Sequence, residues 1–547
     1  MLLDAADRAI ADHRQQRSDY LPAPDFNGVS NRAYVLLWQN GRKLSSWWSQ
    51  SDNLAGTVYR ATQRLLQAKR PAGSRGLEVH IHVLGPDIPW DQGGYRHGVH
   101  GVAMRRDRSV SYYPSYAVET NVKAEKLLRR LQQRLNDVDP GVASPSVYYF
   151  EGQHFSRGYG GTDITRYRKG STPQANTAVS APRLLRMHRL ARQWLRAAVQ
   201  DRGELRYLYY PSRDEFPTGK NNMIRQLMSS RGLAQLAAKD QAWLALHQRN
   251  LAFVLNNWYR ESGDEGYIWF RSKSKLGANA MALRTLVYSP LFDQHRAQAQ
   301  RLVNGILSLQ GEAGQFAAWY LAPDYVYSET RLLTFYSGEA LLALLEYYQK
   351  TGDDRVLAAA RRGQEYYLGE YVDRIDENYY PAYVPWHTQS LSALYKLTGD
   401  VRYATAVFTM TDRLLAIQQR VAGDAPEFLG RFYNPATPQF GSPHASSDGV
   451  YTEGLAYAYE LALLEDDSDR VKRYREALLL GLHNLDNLQY RDRRLYFSQR
   501  PLAMEGAFRI HATDNKVRVD SVQHALDAFD KVAALVETGQ LRLDPQR

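Results

Sequence analysis

Apolar residues recur at helical spacing along the chain from about residue 183 to its end. A 3.6-residue period sustained over ten or more residues is typical of an amphipathic helix. Loops that are alternately short and long separate the helical stretches, so that they pair into six hairpins. The twelve stretches begin near Pro182, Asn222, Gln241, Gly277, Asp293, Leu332, Asp353, Trp386, Val401, Thr452, Ser468 and Asp520.

A phrase that ends one helix, turns at Gly-Asp or Asp-Asp and starts the next recurs in this region. It reads EYYQKTGDDRVLAAARR, LYKLTGDVRYATAV and, more weakly, YELALLEDDSDRVKRYREAL. A repeat of roughly 50 residues indicates stacked or closed helical hairpins. Six hairpins close into an (α/α)6 toroid, and an open solenoid is the alternative. We therefore predict an α/α fold, an (α/α)6 toroid over residues 183–547.

The first 138 residues have a mixed pattern. RAYVLLW, the Asn40-Gly41 turn and RKLSSWW predict a β-hairpin, and LEVHIHVL predicts another strand. SDNLAGTVYRATQRLLQ and NVKAEKLLRRLQQRL have helical spacing. This pattern predicts a smaller N-terminal α+β domain over residues 1–138. Residues 139–182, rich in Gly, Ser, Thr and Pro, are predicted to be a linker or a wrapping loop.

The amino-acid composition limits the classes of partner and cofactor that the chain is expected to bind. The chain has 38 Tyr and 10 Trp but only 16 Phe, and aromatic rings with a polar edge suit partly wet, sugar-binding surfaces. The net charge is +11, which favours an anionic partner such as an acidic polysaccharide. No nucleic-acid motif is present, so no nucleic-acid partner is expected. A chain without cysteine has no disulfide and no thiolate ligand. No cofactor is expected, because neither a phosphate loop nor a dinucleotide fingerprint occurs.

Neither a membrane span nor a targeting segment is predicted. No window approaches eighteen uninterrupted apolar residues, as a membrane span would require. Asp4, Asp7 and Asp12 lie where a signal peptide would have its apolar core. We expect a cytoplasmic protein, or a periplasmic or secreted one whose leader was removed.

Candidate chemistry clusters where five of the helices begin. In a toroid the starts of the inner helices face one end of the funnel, so residues about 300 positions apart in sequence would converge. The candidate catalytic acids are Glu339, Glu453, Asp448 and Asp324. The candidate substrate-binding residues are Asn222, Arg225, Tyr336, Tyr383, Trp386, His387, His444, Tyr451, Asp520 and His524.

The alternative is that these residues only cap helices or fill the core. Asp448 and Asp520 are plausible caps, and Glu339 and Glu453 stand where capping boxes could use them. A histidine such as His524 on an apolar face is more often a core residue. Capping alone poorly explains five helix starts that each combine aromatic, acidic or histidine side chains.

The N-terminal domain has four histidines that lie close together in the sequence and could in principle bind a metal ion. His80 and His82 share one strand face, and His97 and His100 follow. Because no acidic partner stands at ligand spacing, no metal site is expected.

The stretch HGVHGVAMRRDRSVSYYPSYAVE, with the order of elements around it, resembles the AMMECR1 domain over roughly residues 30–137. That family carries a Leu-Arg-Gly-Cys-Ile-Gly run, whereas this chain has Leu44-Ser45-Ser46-Trp47-Trp48-Ser49 and no cysteine. The resemblance therefore implies a binding or scaffolding domain, with a partner protein as one option, and not chemistry at a cysteine.

The phrases SGEALLALLEYYQKTGD, PWHTQSLSALYKLTGD and SDGVYTEGLAYAYE resemble the six-hairpin carbohydrate proteins. These include N-acylglucosamine 2-epimerase-like proteins, uronyl epimerases, glycoside hydrolases and polysaccharide lyases. The resemblance implies a carbohydrate substrate. Hydrolysis by paired carboxylates is favoured. Epimerisation or β-elimination through histidines and tyrosines and non-catalytic glycan binding in polysaccharide synthesis or export remain open.

Overall fold

The computed structural model describes residues 1–14, 31–69, 71–172, 179–423 and 425–543. Within them, an N-terminal antiparallel sheet has the strand order β2-β1-β3-β7-β5-β6, and β4 and β8 also pair with β7. Its strands are β1 (Arg32–Gln39), β2 (Arg42–Gln50), β3 (Leu77–Leu84), β4 (Ile88–Pro89), β5 (His100–Arg105), β6 (Ser109–Tyr112), β7 (Ser146–Gly158) and β8 (Thr165–Tyr167). The helices of this domain are α1 (Leu2–Arg14), α2 (Leu54–Ala68), α3 (Tyr116–Glu119) and α4 (Ala124–Val138).

Both faces of strand β1 are buried. Successive side chains of a strand point to opposite sides, so its residues contribute to two cores. Ala33, Val35 and Leu37 pack with α1 and α2 in one apolar core. Tyr34 and Leu36 belong instead to the core that continues into the helical domain. The sheet thus lies between helices of its own, α1 and α2 beside β1 and α4 beside β5 and β6, and the rest of the protein.

The predicted hairpin is present, with Asn40 and Gly41 both in the left-handed region (φ 49° and 73°), as a tight two-residue turn requires.

The linker prediction for residues 139–182 needs correction, because this segment contains two strands of the sheet, β7 and β8. Strand β7 is the longest strand of the sheet and lies between β3 and β5. Its polar residues and glycines interrupt the alternation of apolar and polar positions that would have predicted a strand. One face of the strand is covered by other elements, and its ladder to β3 runs from Gly158 to Gly152.

The helical domain contains α5 to α17 in the described residues. They are α5 (Ala181–Ala198), α6 (Met223–Lys239), α7 (Leu244–Asn257), α8 (Leu276–Tyr288), α9 (Arg296–Leu307), α10 (Glu329–Thr351), α11 (Asp354–Leu368), α12 (Ile375–Asn378), α13 (Val384–Thr398), α14 (Val401–Leu415), α15 (Ala445–Leu464), α16 (Ser468–Leu488) and α17 (Val519–Glu537). Apart from the short α12, they correspond to the twelve predicted stretches.

The helices form a closed double ring. The inner helices pack in the order α6, α8, α10, α13, α15, α17 and back to α6. Each inner helix packs on one outer helix, in the pairs α6–α7, α8–α9, α10–α11, α13–α14, α15–α16 and α17–α5. Because the last helix pairs with the first, the ring is closed, and the open solenoid is excluded. The α/α toroid with a smaller N-terminal domain is confirmed.

Short strands decorate the loops of the ring: β9 (Leu208–Tyr209), β10 (Tyr259–Ser262), β11 (Glu265–Ile268), β12 (Ser274–Lys275), β13 (Trp319–Leu321), β14 (Arg509–His511) and β15 (Asp514–Arg518). Two inner helices begin earlier than predicted. Helix α10 begins at Glu329 after the cap residue Ser328, and α15 begins at Ala445 after the cap residue His444. Glu339 and Glu453 therefore stand well inside their helices and are not capping residues.

The two domains share polar contacts. The hydroxyl of Tyr496, from the helical domain, donates to Glu119 Oε1 over 2.7 Å. Asn515 Nδ2 donates to the carbonyl of Val118 over 2.7 Å. Lys169 Nζ lies 2.5 Å from Glu427 Oε1, and both side chains are buried. A buried ion pair that loses one partner leaves an uncompensated charge, so these contacts hold the domains in one arrangement.

Candidate functional site

A cavity of about 470 Å³ lies where the six inner helices begin. Each inner helix contributes residues from its first turns or from the residue before it. Most of the predicted site residues line this cavity: Asn222, Arg225, Tyr336, Glu339, Trp386, His444, Tyr451, Asp520 and His524. The convergence predicted from a toroid is therefore observed for these residues.

Glu339 is the acid of α10 that reaches the cavity. Its side chain is 2% exposed, and its Oε2 has no hydrogen-bond partner in the described part of the chain. Gly277 on α8 makes room for it, since a Cβ at that position would clash with Oε2 and with the ring of Tyr336. Burial raises the pKa of Glu339 to about 8, against the opposing effect of Arg284 and Lys275. The carboxyl group is therefore protonated at neutral pH.

Asp520 lies in the first turn of α17, which stands opposite α10 in the ring. Arg518 donates two hydrogen bonds to Asp520, from Nε to Oδ1 over 2.5 Å and from Nη2 to Oδ2 over 2.8 Å. Arg225 Nε approaches Oδ2 at 3.0 Å. Burial disfavours the charge, but the two guanidinium groups outweigh it and hold the pKa of Asp520 well below its usual range. One cavity therefore holds a protonated and an ionised carboxyl group on opposite walls.

Two histidines line the same cavity in the neutral form. His444 caps α15, and its Nδ1 accepts the backbone N–H of Ser447 over 3.1 Å. Its proton is therefore on Nε2. Burial lowers the pKa of His444 to about 4 and that of His524 to about 3. Trp386 lies beside His524, with ring centroids 5.9 Å apart.

Glu453 lies beneath the cavity and does not line it. It forms a buried group with His524 and Asp527, whose ligand-type atoms lie within 4.8 Å of one another. Burial and the neighbouring Asp527 raise the pKa of Glu453. Among the described residues this is the one group of three such side chains that could hold a metal ion. The guanidinium of Arg231 already pairs with Asp527, so the group does not need an ion for its charge balance.

The other predicted residues lie elsewhere. Asp448 is buried, and its two oxygens accept from the backbone N–H of Phe432 and from Asn484 at 2.9 and 2.8 Å. Asp324 is exposed on the loop before α10. His387 is held between Ser337 and Gln364. The hydroxyl of Tyr383 donates to the carbonyl of Tyr371. The contacts of Asp448, His387 and Tyr383 fit structural roles better than contact with a substrate.

Several lining residues were not predicted. Lys275 directly precedes α8, whose start carries no acid, histidine or large aromatic residue and therefore was not among the five predicted segments. Its ammonium lies 5.2 Å from the ring of Trp319 and 5.9 Å from that of Tyr336. Arg331 donates to the hydroxyl of Tyr380 over 3.0 Å. The shared position before or just after a helix start is the signal that could have found them. The further lining residues include Phe335, Phe432, Tyr433, Phe440 and Ser446.

Comparisons with known proteins support the fold of the helical domain and do not identify a family. No protein-family profile matches the chain, and no curated protein matches it. A D-mannose isomerase is similar over 65% of this chain and 98% of its own, with 10% identity and a TM-score of 0.50. A GH76 α-mannanase from Bacteroides thetaiotaomicron is similar over 65% of this chain and 97% of its own, with 10% identity and a TM-score of 0.46.

A protein of Pyrococcus horikoshii is similar over 30% of this chain and 95% of its own, with 17% identity and a TM-score of 0.27. At these identities the likeness to the isomerase shows a shared toroid fold and no shared reaction. Separately, none of the helices in the described residues is long and apolar enough to cross a membrane.

Proposed function

We propose that this protein is a carbohydrate-active enzyme that hydrolyses a glycosidic bond in the toroid cavity. The observation that carries the proposal is the pair of carboxyl groups on opposite walls, Glu339 protonated and Asp520 ionised. Two carboxyl groups whose surroundings push their pKa values apart are the arrangement that glycoside hydrolysis uses. The toroid shared with sugar enzymes and the aromatic walls of the cavity are consistent with it.

Glu339 is the proposed general acid. It would donate its proton to the oxygen of the leaving sugar, a step that needs a carboxyl group still protonated near neutral pH. Its Oε2 has no hydrogen-bond partner among the described residues, so no hydrogen bond within them holds the carboxyl proton at this oxygen. Asp520 keeps its negative charge beside the sugar ring, where positive charge develops in the transition state. Water adds to the anomeric carbon as the bond to the leaving sugar breaks, and the proton that this water loses returns to Glu339 through solvent. Arg518 and Arg225 fix the orientation of that carboxylate.

We propose an anionic sugar as the substrate class. Arg225, Lys275 and Arg331 all line the cavity. Because Glu339 is neutral, Asp520 is the one ionised acid among the described lining residues, and the cationic groups outnumber it. A substrate carboxylate would restore the balance. The overall charge of +11 points in the same direction.

The N-terminal domain is proposed to bind or scaffold, as its AMMECR1-like segment implies. No cysteine stands at the position of that family's signature. A partner protein on this domain stays a prediction.

A second candidate function is proton transfer at a sugar carbon, as in an epimerase, an isomerase or a lyase. His524 favours it, because it is neutral and lines the same cavity as Glu339. A neutral imidazole can take a proton from carbon while Glu339 protonates or polarises an oxygen.

One experiment separates these functions. The protein is incubated in D₂O with neutral and uronic polysaccharides and oligosaccharides, and new reducing ends, unsaturated uronate absorbance and deuterium incorporation are measured. New reducing ends without unsaturation support hydrolysis. Unsaturation indicates a lyase, and deuterium in uncleaved sugar indicates an epimerase or isomerase. Binding with none of the three would mean a non-catalytic glycan-binding protein and would overturn the proposal.

A further inference from the structure

An exposed apolar loop, residues 321–327, stands between the end of β13 and the start of α10 and is termed the aromatic loop. Val326 is 100% exposed, Tyr325 is 53% exposed, and Leu321 and Tyr327 are each 37% exposed. Single apolar residues on a surface are ordinary, whereas a contiguous group marks a place where another molecule binds. The aromatic loop is therefore a candidate contact surface.

The aromatic loop borders the toroid cavity. The ring of Tyr327 packs against that of Trp319, with centroids 5.1 Å apart. The ammonium of Lys275, which lines the cavity, lies 5.2 Å from the same Trp319 ring. The loop also leads into the first turn of α10, where Arg331 lines the cavity. A chain that leaves the cavity on this side therefore meets the aromatic loop.

Tyr325 is positioned on this loop by a lysine from another segment. Lys273 Nζ donates to the hydroxyl of Tyr325 over 3.0 Å and lies 4.8 Å from the centroid of its ring. Lys273 directly precedes β12, whose second residue is Lys275 of the cavity wall. The contact orients the ring while more than half of Tyr325 stays exposed. A ring with a flat apolar face and a polar edge suits the apolar face of a sugar ring.

The size and polarity of the aromatic loop favour a narrow chain over a protein partner. A stable protein–protein interface buries about 800 Å² on each side and has few charges at its centre. The loop has four exposed apolar residues, and charged side chains stand within it or beside it: Lys273, Asp324 and Arg331. Such a strip suits a sugar chain, whose rings have apolar faces and polar edges.

We propose that the aromatic loop is a binding subsite for the part of a sugar chain that extends out of the toroid cavity. One sugar ring stacks on Tyr325, and the chain continues past Lys275 to Glu339 inside the cavity. The inference rests on the proposed function, because its occupant is the substrate of the toroid cavity. It gives the protein a preference for long oligosaccharides over a disaccharide, since the disaccharide fills only the cavity.

The test uses the full-length protein and oligosaccharides of two to six sugars from polygalacturonate, alginate, hyaluronan, α-1,6-mannan and cellulose. Cleavage is assayed with active Glu339, and affinity is measured by calorimetry on Glu339→Gln. Adding Tyr325→Ala should lower the affinity and kcat/KM for the hexasaccharide of the preferred series about three- to tenfold. The values for the disaccharide should stay within twofold. Tyr325→Phe keeps the ring and should retain most of the preference for long chains.

The matched control is Tyr348→Ala, which removes a half-buried tyrosine near the other end of α10. It should not change the dependence on chain length. Melting curves show whether each variant folds, and a purely structural role of Tyr325 would reduce binding of the disaccharide and the hexasaccharide equally.

The outcomes separate this inference from the proposed function. If oligosaccharides are bound and cleaved but Tyr325→Ala has no effect, or the same effect at every length, the subsite is overturned and the proposed function stands. If no series is bound or cleaved, both are overturned. Light scattering tests the alternative occupant, a second copy of the chain. A dimer that Val326→Asp dissociates would assign the aromatic loop to self-association and overturn the subsite.

Discussion

Two cavities of this protein are lined by buried polar groups of opposite character. The toroid cavity holds a carboxyl group, that of Glu339, which burial keeps protonated. A cavity of about 390 Å³ in the N-terminal domain is lined by two imidazoles, His82 and His154, which burial keeps neutral and whose Nδ1 atoms have no hydrogen-bond partner among the described residues. Burial acts on both, because it disfavours the charged form of an acid and of a base alike. The difference teaches that the same low-polarity surroundings prepare a proton donor in one place and proton acceptors in the other.

Among the substitutions considered in the toroid cavity, we expect Glu339→Gln to reduce activity the most. The amide keeps the shape and cannot donate a proton to a leaving oxygen, so we expect turnover to fall by roughly 10²- to 10⁴-fold. The measurement is the initial rate on the best substrate of the polysaccharide panel. Glu537→Gln is the matched control, since Glu537 is exposed at the far end of α17. A rate within twofold of wild type for Glu339→Gln would remove this residue from the mechanism.

The same substitution should change how stability depends on pH. The folded-state pKa of Glu339, about 8, lies above the ordinary glutamate value of 4.5. The folded state therefore keeps a proton that the unfolded state loses, and the wild type is destabilised as pH rises from about 4.5 to 8. Glu339→Gln escapes this loss. Its stability relative to wild type should improve by about 3 kcal/mol between pH 4 and pH 7. Urea unfolding at both values measures it, and a pH-independent difference would contradict the raised pKa.

The pH–rate profile should show the same group. A general acid must be protonated, so kcat/KM should fall about tenfold per pH unit above pH 8. Deprotonated Glu339 would also lie near Lys275, whose ammonium lowers its pKa. Lys275→Met should therefore move this descending limb to higher pH, whereas the exposed Lys239→Met should not move it. A profile flat to pH 10 would assign the acid elsewhere.

The histidine cavity should be the less sensitive of the two to pH. Burial lowers the pKa of His82 and of His154 well below the ordinary value, so both rings stay neutral in mild acid. Their ¹⁵N resonances should therefore hardly move between pH 7 and pH 5.5. An ordinary imidazole would take up a proton over that range. NMR of the full-length protein labelled with ¹⁵N at histidine is the measurement, and a protonation shift over this range would show that the imidazoles titrate normally.

Much of the fold could be predicted, because its signals are local. Each of the twelve long ring helices carries its own 3.6-residue period, and the Gly-Asp turns mark the hairpins. Strand β7 was not predicted, because polar residues and glycine interrupt its alternating pattern. Its burial comes from the neighbouring strands β3 and β5 and is not visible in its own sequence.

The candidate site was predicted in part. Helix starts pointed to Glu339, Asp520 and His524, which do line the cavity. They could not separate these from Asp448, which bonds to a distant backbone N–H, or from Glu453, which lies one layer deeper. The start of α8 was passed over, although Lys275 lies there.

The sequence by itself determined the helical hairpins, their number, and the end of the ring where polar residues gather, because periodicity and turn chemistry are properties of short segments. Only the tertiary structure decided which acid faces the cavity, which one is protonated, and which histidine nitrogens are bare. Those properties depend on burial and on partners far away in the chain. Tyr496 reaches Glu119 from 377 residues further along the chain, and Gly277 makes room for Glu339 from a neighbouring helix. Packing creates that environment, and no window of sequence contains it.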